Sequence, residues 1–270
     1  MRRARAAWVG RVVAVAAVLA VAVAQAGEFE PPPEGLDARA ISRRADHNLR
    51  GERTFLEARL SLRQKPSGRP QEIRLRLWDD RSKNQCFVRI VAPKGAAGTA
   101  FLKLPPNLWT YEPRDDRARR LRPAELKSRL LESNFRIDDL VRMTNLAKDY
   151  EVRLLGVDPA PDGSPGRRAN VLEYVRRAAS PQLWSRILAW VDTEWGTPLR
   201  RAYYDDEGKL VRWIQFGDIR EVQGRHLPHV WTAHAAESGG PESRIEIERI
   251  DLAPEIAGST FTTRNLKPAE

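Results

Sequence analysis

The sequence contains a single cysteine, Cys86, among its 270 residues. One cysteine excludes an internal disulfide, so the stability of the fold must come from buried apolar surface. The neighbouring residues Phe87, Val88 and Ile90 predict a strand that holds a buried, unreactive thiol.

Short catalytic motifs are also missing, since the sequence has no G-x-S-x-G, H-E-x-x-H, P-loop or G-x-G-x-x-G stretch. His226, His229 and His234 lie close in sequence, but on a strand the middle residue faces away from the other two. The acidic pairs 138–139 and 205–206 are explained by a helix start and a turn. We therefore expect no enzyme, no metal site and no cofactor.

The first residues lack acids and have the pattern of a secretory signal peptide. Four arginines precede or open the uncharged apolar run 12–23, whose 12 residues fall short of the roughly 20 that a spanning helix needs. Ala24-Gln25-Ala26 then supplies a cleavage site. We expect residues 1–26 to be removed after Ala26 and the mature chain to be periplasmic. No cysteine lies near this site, so lipid anchoring is not expected.

Removal of these four arginines lowers the net charge from +10 to +6. Export argues against nucleic acid as a partner. The remaining arginines are interspersed with acids, as around Arg74 and Arg76, which is typical of solvated strand faces. Docking to an acidic partner or to anionic lipid headgroups is the alternative.

Beyond an extended, proline-rich spacer at 27–36, the pattern predicts one domain over residues 37–270. Asp37 is a candidate N-cap for a helix from 38 to about 50. Alternating apolar and charged residues then predict a hairpin from 56–63 and 73–77. Further strands are predicted at 86–91, 99–104, 108–111, 150–155, 170–176, 186–192, 199–204, 210–216, 230–236 and 244–250, and helices at 123–131 and 137–143.

This density of strands, without a helix between successive pairs, predicts a mainly β fold with one antiparallel sheet of about eleven strands. A sheet of this size with one apolar face buries that face by curling. The helices are too few to cover both faces and are expected on one face, as a lid or plug. Most of the eight tryptophans fall in or beside strands, where they either fill a core or line an apolar pocket.

Several motifs together resemble the LolA-like outer-membrane lipoprotein-sorting proteins. They occur in the family's order along most of the mature chain and read PKGAAGTAFL at 93–102, LWTYEP at 108–113, RRL at 119–121, SNFRIDDL at 133–140, AWVD at 189–192, PLR at 198–200, YYD at 203–205, GKL at 208–210, LP at 227–228 and FTTRNL at 261–266. One departure is Glu132, which stands where the family often has glycine.

The resemblance implies an incomplete, strongly curved barrel whose concave face is capped by helices and holds acyl chains. It also implies a monomeric periplasmic carrier of lipid or lipoprotein, loaded by an inner-membrane exporter of the ABC or RND type and unloading at an outer-membrane acceptor. An apolar cavity can hold such chains, because each buried methylene contributes about 0.8 kcal/mol.

Candidate cavity residues are taken from the apolar positions of the predicted strands and helices: Leu60, Leu62, Ile73, Leu75, Leu77, Val88, Ile90, Phe101, Trp109, Tyr111, Phe135, Ile137, Leu140, Val141, Trp190 and Trp213. Arg89 is either a solvated strand arginine or, as the resemblance implies, an inward arginine that bonds the lid backbone. The rival function is a periplasmic adaptor with a filled core that binds an envelope partner through its basic face.

Overall fold

The computed structural model of the protein describes residues 29–62, 71–122, 125–126, 128–141, 146–178, 183–237 and 242–268. The signal segment predicted at 1–26 lies outside these residues. The helices are α1 (Ala38–His47), α2 (Ile137–Val141) and α3 (Leu146–Asp149). The strands are β1 (Arg53–Leu62), β2 (Gln71–Asp80), β3 (Gln85–Ala92), β4 (Ala100–Leu104), β5 (Asn107–Glu112), β6 (Arg117–Arg120), β7 (Tyr150–Pro159), β8 (Arg168–Arg176), β9 (Arg186–Asp192), β10 (Pro198–Tyr204), β11 (Leu210–Val222), β12 (Arg225–Ala235) and β13 (Ser243–Asp251).

All these strands form one curved, unclosed antiparallel sheet in the order β6-β5-β4-β3-β2-β1-β13-β12-β11-β10-β9-β8-β7. Each strand is a neighbour of the next one in sequence except at one connection, between β6 and β7. These two strands form the opposite edges of the sheet. The chain between them therefore has to cross one face of the sheet, and α2 and α3 lie in this crossing segment.

The hairpin predicted from alternation is confirmed, because β1 pairs with β2 over their full lengths with Leu60 opposite Ile73 and Leu56 opposite Leu77. Every second residue of β1 is buried. The charged residues between them lie on the convex face, where Arg76 pairs with Glu57 at 2.8 Å. One face of the hairpin is thus apolar and the other carries ion pairs.

The mainly β fold class is confirmed, but the number of strands was underestimated. β6 was missed because its four residues, Arg-Ala-Arg-Arg, are all exposed and show no alternation. The helix expected at 123–131 is wrong for 128–131, where Arg129 forms an isolated bridge with Arg136. The helix expected at 137–143 is present as α2, with residues 142–143 outside the described part.

Helix α1 begins as predicted, with the Asp37 side chain accepting a bond from the Arg39 N–H at 2.8 Å. It ends at His47, three residues earlier than expected. Just beyond it, the guanidinium of Arg50 lies 3.5 Å from Asp46 and 3.1 Å from Asp79 on β2. This buried network ties the end of α1 to the sheet.

The N-terminal segment is attached to the edge strand β7. Glu30 forms a two-way backbone bridge with Val157, at 3.1 and 2.8 Å. Gly156 permits this approach, because a Cβ there would lie 2.4 Å from the Glu30 carbonyl oxygen. Part of the segment expected to be a free spacer is therefore paired to the sheet.

The two faces of the sheet bury different clusters. The main cluster covers the concave face and includes residues of the crossing segment, such as Leu130 and Phe135. A second cluster lies on the convex face of β3, β4 and β5, where it is covered by Phe261 and Leu266. We call residues 252–268, which contain the two short 3₁₀ helices Gly258–Phe261 and Thr263–Leu266, the C-terminal strap.

Candidate functional site

The candidate site is the concave face together with its cover, residues 128–141, which we call the lid. The lid consists of a loop and helix α2, whose residues Ile137, Leu140 and Val141 are buried. They pack on apolar residues of β1, β2 and β3 in the main cluster. Because the lid is short, its position depends on the bonds that hold it to the sheet.

The strongest of these bonds is an ion pair between Arg212 of β11 and Asp139 of α2. The two guanidinium nitrogens of Arg212 donate to the two carboxylate oxygens of Asp139, at 2.8 and 2.5 Å. The side chains of this pair are only 3 % and 10 % exposed. Burial alone would lower the pKa of Arg212, but the adjacent Asp139 carboxylate raises it. The contact is a bidentate pair.

The surroundings of Arg212 strengthen this geometry. Its guanidinium carbon lies 4.2 Å from the ring centre of Tyr203 and 5.2 Å from that of Trp184. It also donates to the backbone oxygen of Asn134, at 3.2 Å. One buried arginine thus binds both the loop and the helix of the lid.

The loop of the lid has its own contacts with strands β12 and β13. The Asn134 N–H donates to the Ser243 hydroxyl at 2.8 Å, and its side-chain amide donates to the Ala233 carbonyl at 3.3 Å. Phe135 is fully buried. Before this anchor, Leu131 and Glu132 have φ values of 46° and 65°, a region that favours glycine. The lid therefore holds backbone strain beside its best-anchored residues.

Cys86 lies under the lid. Its Sγ is 3.8 Å from the carbonyl oxygen of Leu140 in α2, and burial raises the pKa of the thiol. The prediction of a buried, unreactive thiol agrees with this position. A reagent can reach Cys86 only after α2 moves, which makes this residue a natural reporter of lid opening.

The space under the lid is small, whereas two larger grooves lie beside it. Interior cavities of about 60 and 10 Å³ lie under α2. An open groove of about 590 Å³ runs between the lid and strands β4 and β5, and another of about 250 Å³ lies at β11. Pockets for drug-sized ligands usually enclose about 300–1,000 Å³. Among the cavities lined by described residues, those under α2 are thus small, and the larger ones are open grooves at the edges of the lid.

Most of the predicted cavity residues lie together. Twelve of them belong to the main cluster on the concave face: Leu60, Leu62, Ile73, Leu75, Leu77, Val88, Ile90, Phe101, Phe135, Ile137, Leu140 and Val141. Leu75 and Leu77 also border the smaller interior cavity. The alternation of β1, β2 and β3 thus identified one continuous apolar surface.

Four predicted residues lie elsewhere. Trp109 and Tyr111 belong to the second cluster, and Trp190 packs with a third small cluster. Trp213 stacks on His234 with ring centres 4.9 Å apart. All four occupy the strand positions that alternate with the concave ones, so their assignment to the cavity is corrected to the convex face.

Arg89 is also corrected. It lies in phase with Phe87 on the convex face, where its guanidinium donates to the Gly98 carbonyl at 3.3 Å and to the Asn265 carbonyl. Its acceptors are in the β3–β4 turn and the C-terminal strap, not in the lid. Burial lowers the pKa of Arg89. The lid is held by Arg212 instead.

Two inward arginines were not predicted as site residues: Arg212 on β11 and Arg201 on the adjacent strand β10. Arg212 alternates in phase with Ile214 and Phe216, and Arg201 with Tyr203, so each arginine interrupts a run of otherwise inward apolar residues. That phase was a usable signal.

The histidines lie apart from one another, as their spacing indicated. His226 stacks on Trp195, His234 stacks on Trp213, and the His229 ring contacts the Leu227 carbonyl. Among the described residues, no group of three or more His, Cys, Asp or Glu side chains is placed to hold a metal ion. No helix in the described part of the chain is long and apolar enough to cross a membrane.

Solved structures share this architecture. A LolA superfamily protein from Nitrosomonas europaea aligns with a TM-score of 0.71 at 21% identity, over 86% of this chain and 100% of its own. A DUF1329 family protein from Desulfovibrio piger aligns with a TM-score of 0.75 at 17% sequence identity, over 85% of this chain and 98% of its own. A putative outer membrane lipoprotein-sorting protein domain from Vibrio parahaemolyticus aligns with a TM-score of 0.71 at 16% sequence identity, over 86% of this chain and 98% of its own. The fold is that of the LolA superfamily, which confirms the resemblance at this level.

A family model described as "-like: Uncharacterized protein" matches residues 82–268, which is more than half of the chain. The chain belongs to this family, whose description names no activity. No curated protein matches the sequence.

Proposed function

We propose that this chain is a periplasmic carrier that binds the acyl chains of a lipid or lipoprotein between its concave face and its lid. An inner-membrane exporter of the ABC or RND type loads it, and the cargo moves toward the outer membrane. Cleavage of residues 1–26 releases it as a single domain. The observation that carries the proposal is an apolar concave face whose cover is a short segment bound to the sheet by the Arg212–Asp139 ion pair and by hydrogen bonds of Asn134.

The chemistry of the concave face supports acyl chains as cargo. Its β1–β3 part presents Leu60, Ile73, Leu75, Leu77 and further aliphatic residues without a charged group between them. Such a surface binds hydrocarbon through its area alone, at about 25 cal/mol per Å² of apolar surface buried. It has no need of a specific polar contact along the chain.

Loading of the cavities that described residues line under α2 requires the lid to move, because volumes of about 60 and 10 Å³ do not hold an acyl chain. The groove of about 590 Å³ beside the lid provides an entrance, since it is lined by Phe101, Leu130 and Ile137 of the main cluster. A chain that displaces α2 from this side replaces one set of apolar contacts by another. The movable cover also allows release.

The direct test is the binding of a fluorescent fatty-acyl probe to the purified mature protein, with mass spectrometry of any lipid that copurifies. Leu77→Glu places a carboxylate on the buried apolar face and is expected to abolish probe uptake. Glu57→Gln, on the convex face of the adjacent strand, is the matched control and is expected to bind like the parent. Absence of both copurified lipid and probe binding would count against the carrier function.

The small volume of the cavities that described residues line under α2 favours a second function, that of a periplasmic adaptor for an envelope protein. This function predicts capture of a partner that weakens as salt rises, with no lipid bound. The convex arginines argue for the carrier, because Arg59 and Arg76 are paired with acids on neighbouring strands and leave little net field. Probe uptake by a folded parent protein, lost in Leu77→Glu, distinguishes the carrier from the adaptor.

A further inference from the structure

The concave face has a charged half as well as an apolar half. On β10 and β11, Arg201 and Arg212 alternate in phase with the inward residues Tyr203, Ile214 and Phe216. This charged half borders the interior cavity of about 60 Å³. Burial of an arginine on an inward face lowers the stability of the fold unless a counterion lies beside it.

In the closed protein, the counterions come from the lid. Asp139 neutralises Arg212, and Asp138 lies beside it at the edge of the same cavity. Both aspartates belong to α2, so they leave the arginines when α2 moves. The neighbouring network of Asp46, Arg50 and Asp79 does not supply a substitute, since its carboxylates are engaged with Arg50 and Arg81.

Arg201 lacks a counterion even with the lid closed. Among the described residues it forms no ion pair, and its buried Nε has no hydrogen-bond partner. Its guanidinium carbon lies 5.6 Å from the ring centre of Phe216, and its side chain lines the cavity that Asp138 and Asp139 also border. Burial raises the pKa of Tyr203, and the charges of Arg212 and Arg201 act against that rise. An acceptor in this cavity would meet a guanidinium and a neutral phenol.

We propose that the cargo is an anionic amphiphile, whose phosphate or carboxylate group replaces Asp139 at Arg212 and also binds Arg201, while its acyl chain lies on the apolar half. The inference rests on the proposed carrier function and specifies its substrate class. A neutral amphiphile that opens the lid leaves both arginines without a counterion. An anionic amphiphile supplies the counterion as it enters, so the negative charge of the cargo favours opening of the lid.

The test compares dodecyl phosphate with dodecanol, as competitors of a neutral fluorescent acyl probe bound to the mature protein. The parent is expected to bind the phosphate about tenfold more tightly than the alcohol. Arg201→Gln is expected to remove this advantage and leave dodecanol binding unchanged. Arg200→Gln is the matched control, because Arg200 is the next residue on β10 and lies on the convex face near Trp190 and Trp213. Circular dichroism on heating establishes that both variants fold.

Each other outcome overturns a different statement. Equal binding of the phosphate and the alcohol by the parent, or equal losses for both in Arg201→Gln, overturns the anionic class and leaves the carrier function standing. Inorganic phosphate tested alone is expected not to displace the probe. If it blocks dodecyl phosphate but not dodecanol at similar concentrations, the site takes free phosphate and the amphiphile is wrong. Failure of both compounds to compete, with no probe bound, removes the carrier function and this inference together.

Discussion

Part of each face of the sheet is covered by a segment of chain outside the sheet, and one strand arginine binds each of the two covers. On the concave face, Arg212 binds the lid through the carboxylate of Asp139. On the convex face, Arg89 binds the C-terminal strap through backbone carbonyls of Gly98 and Asn265. The two arrangements have the same donor but different acceptors.

The difference in acceptors gives the covers different properties. A carboxylate on a short helix can be exchanged for another anion, so the concave cover can open while its arginine acquires a new partner. The backbone carbonyls that Arg89 binds carry no net charge, so an anion does not take their place in the way that it can take the place of the Asp139 carboxylate. The family-like motifs divide in the same way, since SNFRIDDL forms the lid whereas PKGAAGTAFL and FTTRNL meet beside Arg89. Gly98 fits there because a Cβ would lie 2.9 Å from Pro113.

The largest effect is expected from removing the concave arginine. Arg212→Ala leaves Asp139 buried without its partner and should lower the free energy of unfolding by about 3–5 kcal/mol. Urea denaturation measures this loss. Arg59→Ala, which removes an arginine from the exposed convex ion pairs, should cost far less, because solvent screens these pairs. Equal losses in the free energy of unfolding for the two variants would show that the buried Arg212 pair contributes no more than an exposed convex pair.

A smaller effect is expected on the convex face. Arg89→Ala removes hydrogen bonds from a charged donor to two carbonyls and should cost about 1.5–3 kcal/mol. It should also expose the C-terminal strap to proteolysis, which limited digestion followed by mass spectrometry can locate. Arg89→Lys keeps one charged donor and should recover part of the loss. If the strap is cut no faster in Arg89→Ala, its other contacts, which include the burial of Phe261 and Leu266 and the ion pair of Lys267 with Asp116, are sufficient to hold it.

Opening of the lid is expected to depend on the charge of Asp139. Asp139→Asn keeps a hydrogen-bond acceptor but removes the charge, so the lid should open more often. Labelling of the native Cys86 thiol should accelerate by about tenfold, equivalent to about 1.4 kcal/mol. Arg89→Ala serves as the control, because loosening the convex cover should leave this rate unchanged. A rate in Asp139→Asn equal to that of the parent would mean that α2 does not depend on the ion pair.

The smallest effect is expected at the strained loop of the lid. Glu132 has φ 65°, so Glu132→Gly should relieve the strain and stabilise the protein by about 1 kcal/mol. Thermal unfolding should then show a rise in Tm of about 2–4 °C. Glu132→Ala keeps a Cβ in the same conformation and should give no such gain. A Tm for Glu132→Gly at or below that of the Ala variant would contradict the strain.

The sequence by itself determined the sheet and its apolar face. Alternation in β1, β2 and β3 depends on a period of two residues that is local to each strand, and it identified seven of the twelve predicted residues found in the main cluster. The cap of α1 at Asp37 is equally local. β6 shows the limit of such reasoning, because an edge strand without buried residues leaves no pattern to detect.

Only the tertiary structure decided which face each strand turns inward and which arginine holds the lid. Arg89 has to lie on the face opposite Val88 and Ile90, but both faces of β3 are apolar, so alternation could not tell which of the two faces is concave. The pairing of Arg212 with Asp139 joins residues 73 positions apart. Their contact exists because the chain between β6 and β7 crosses the concave face, and that crossing follows from the order of the strands.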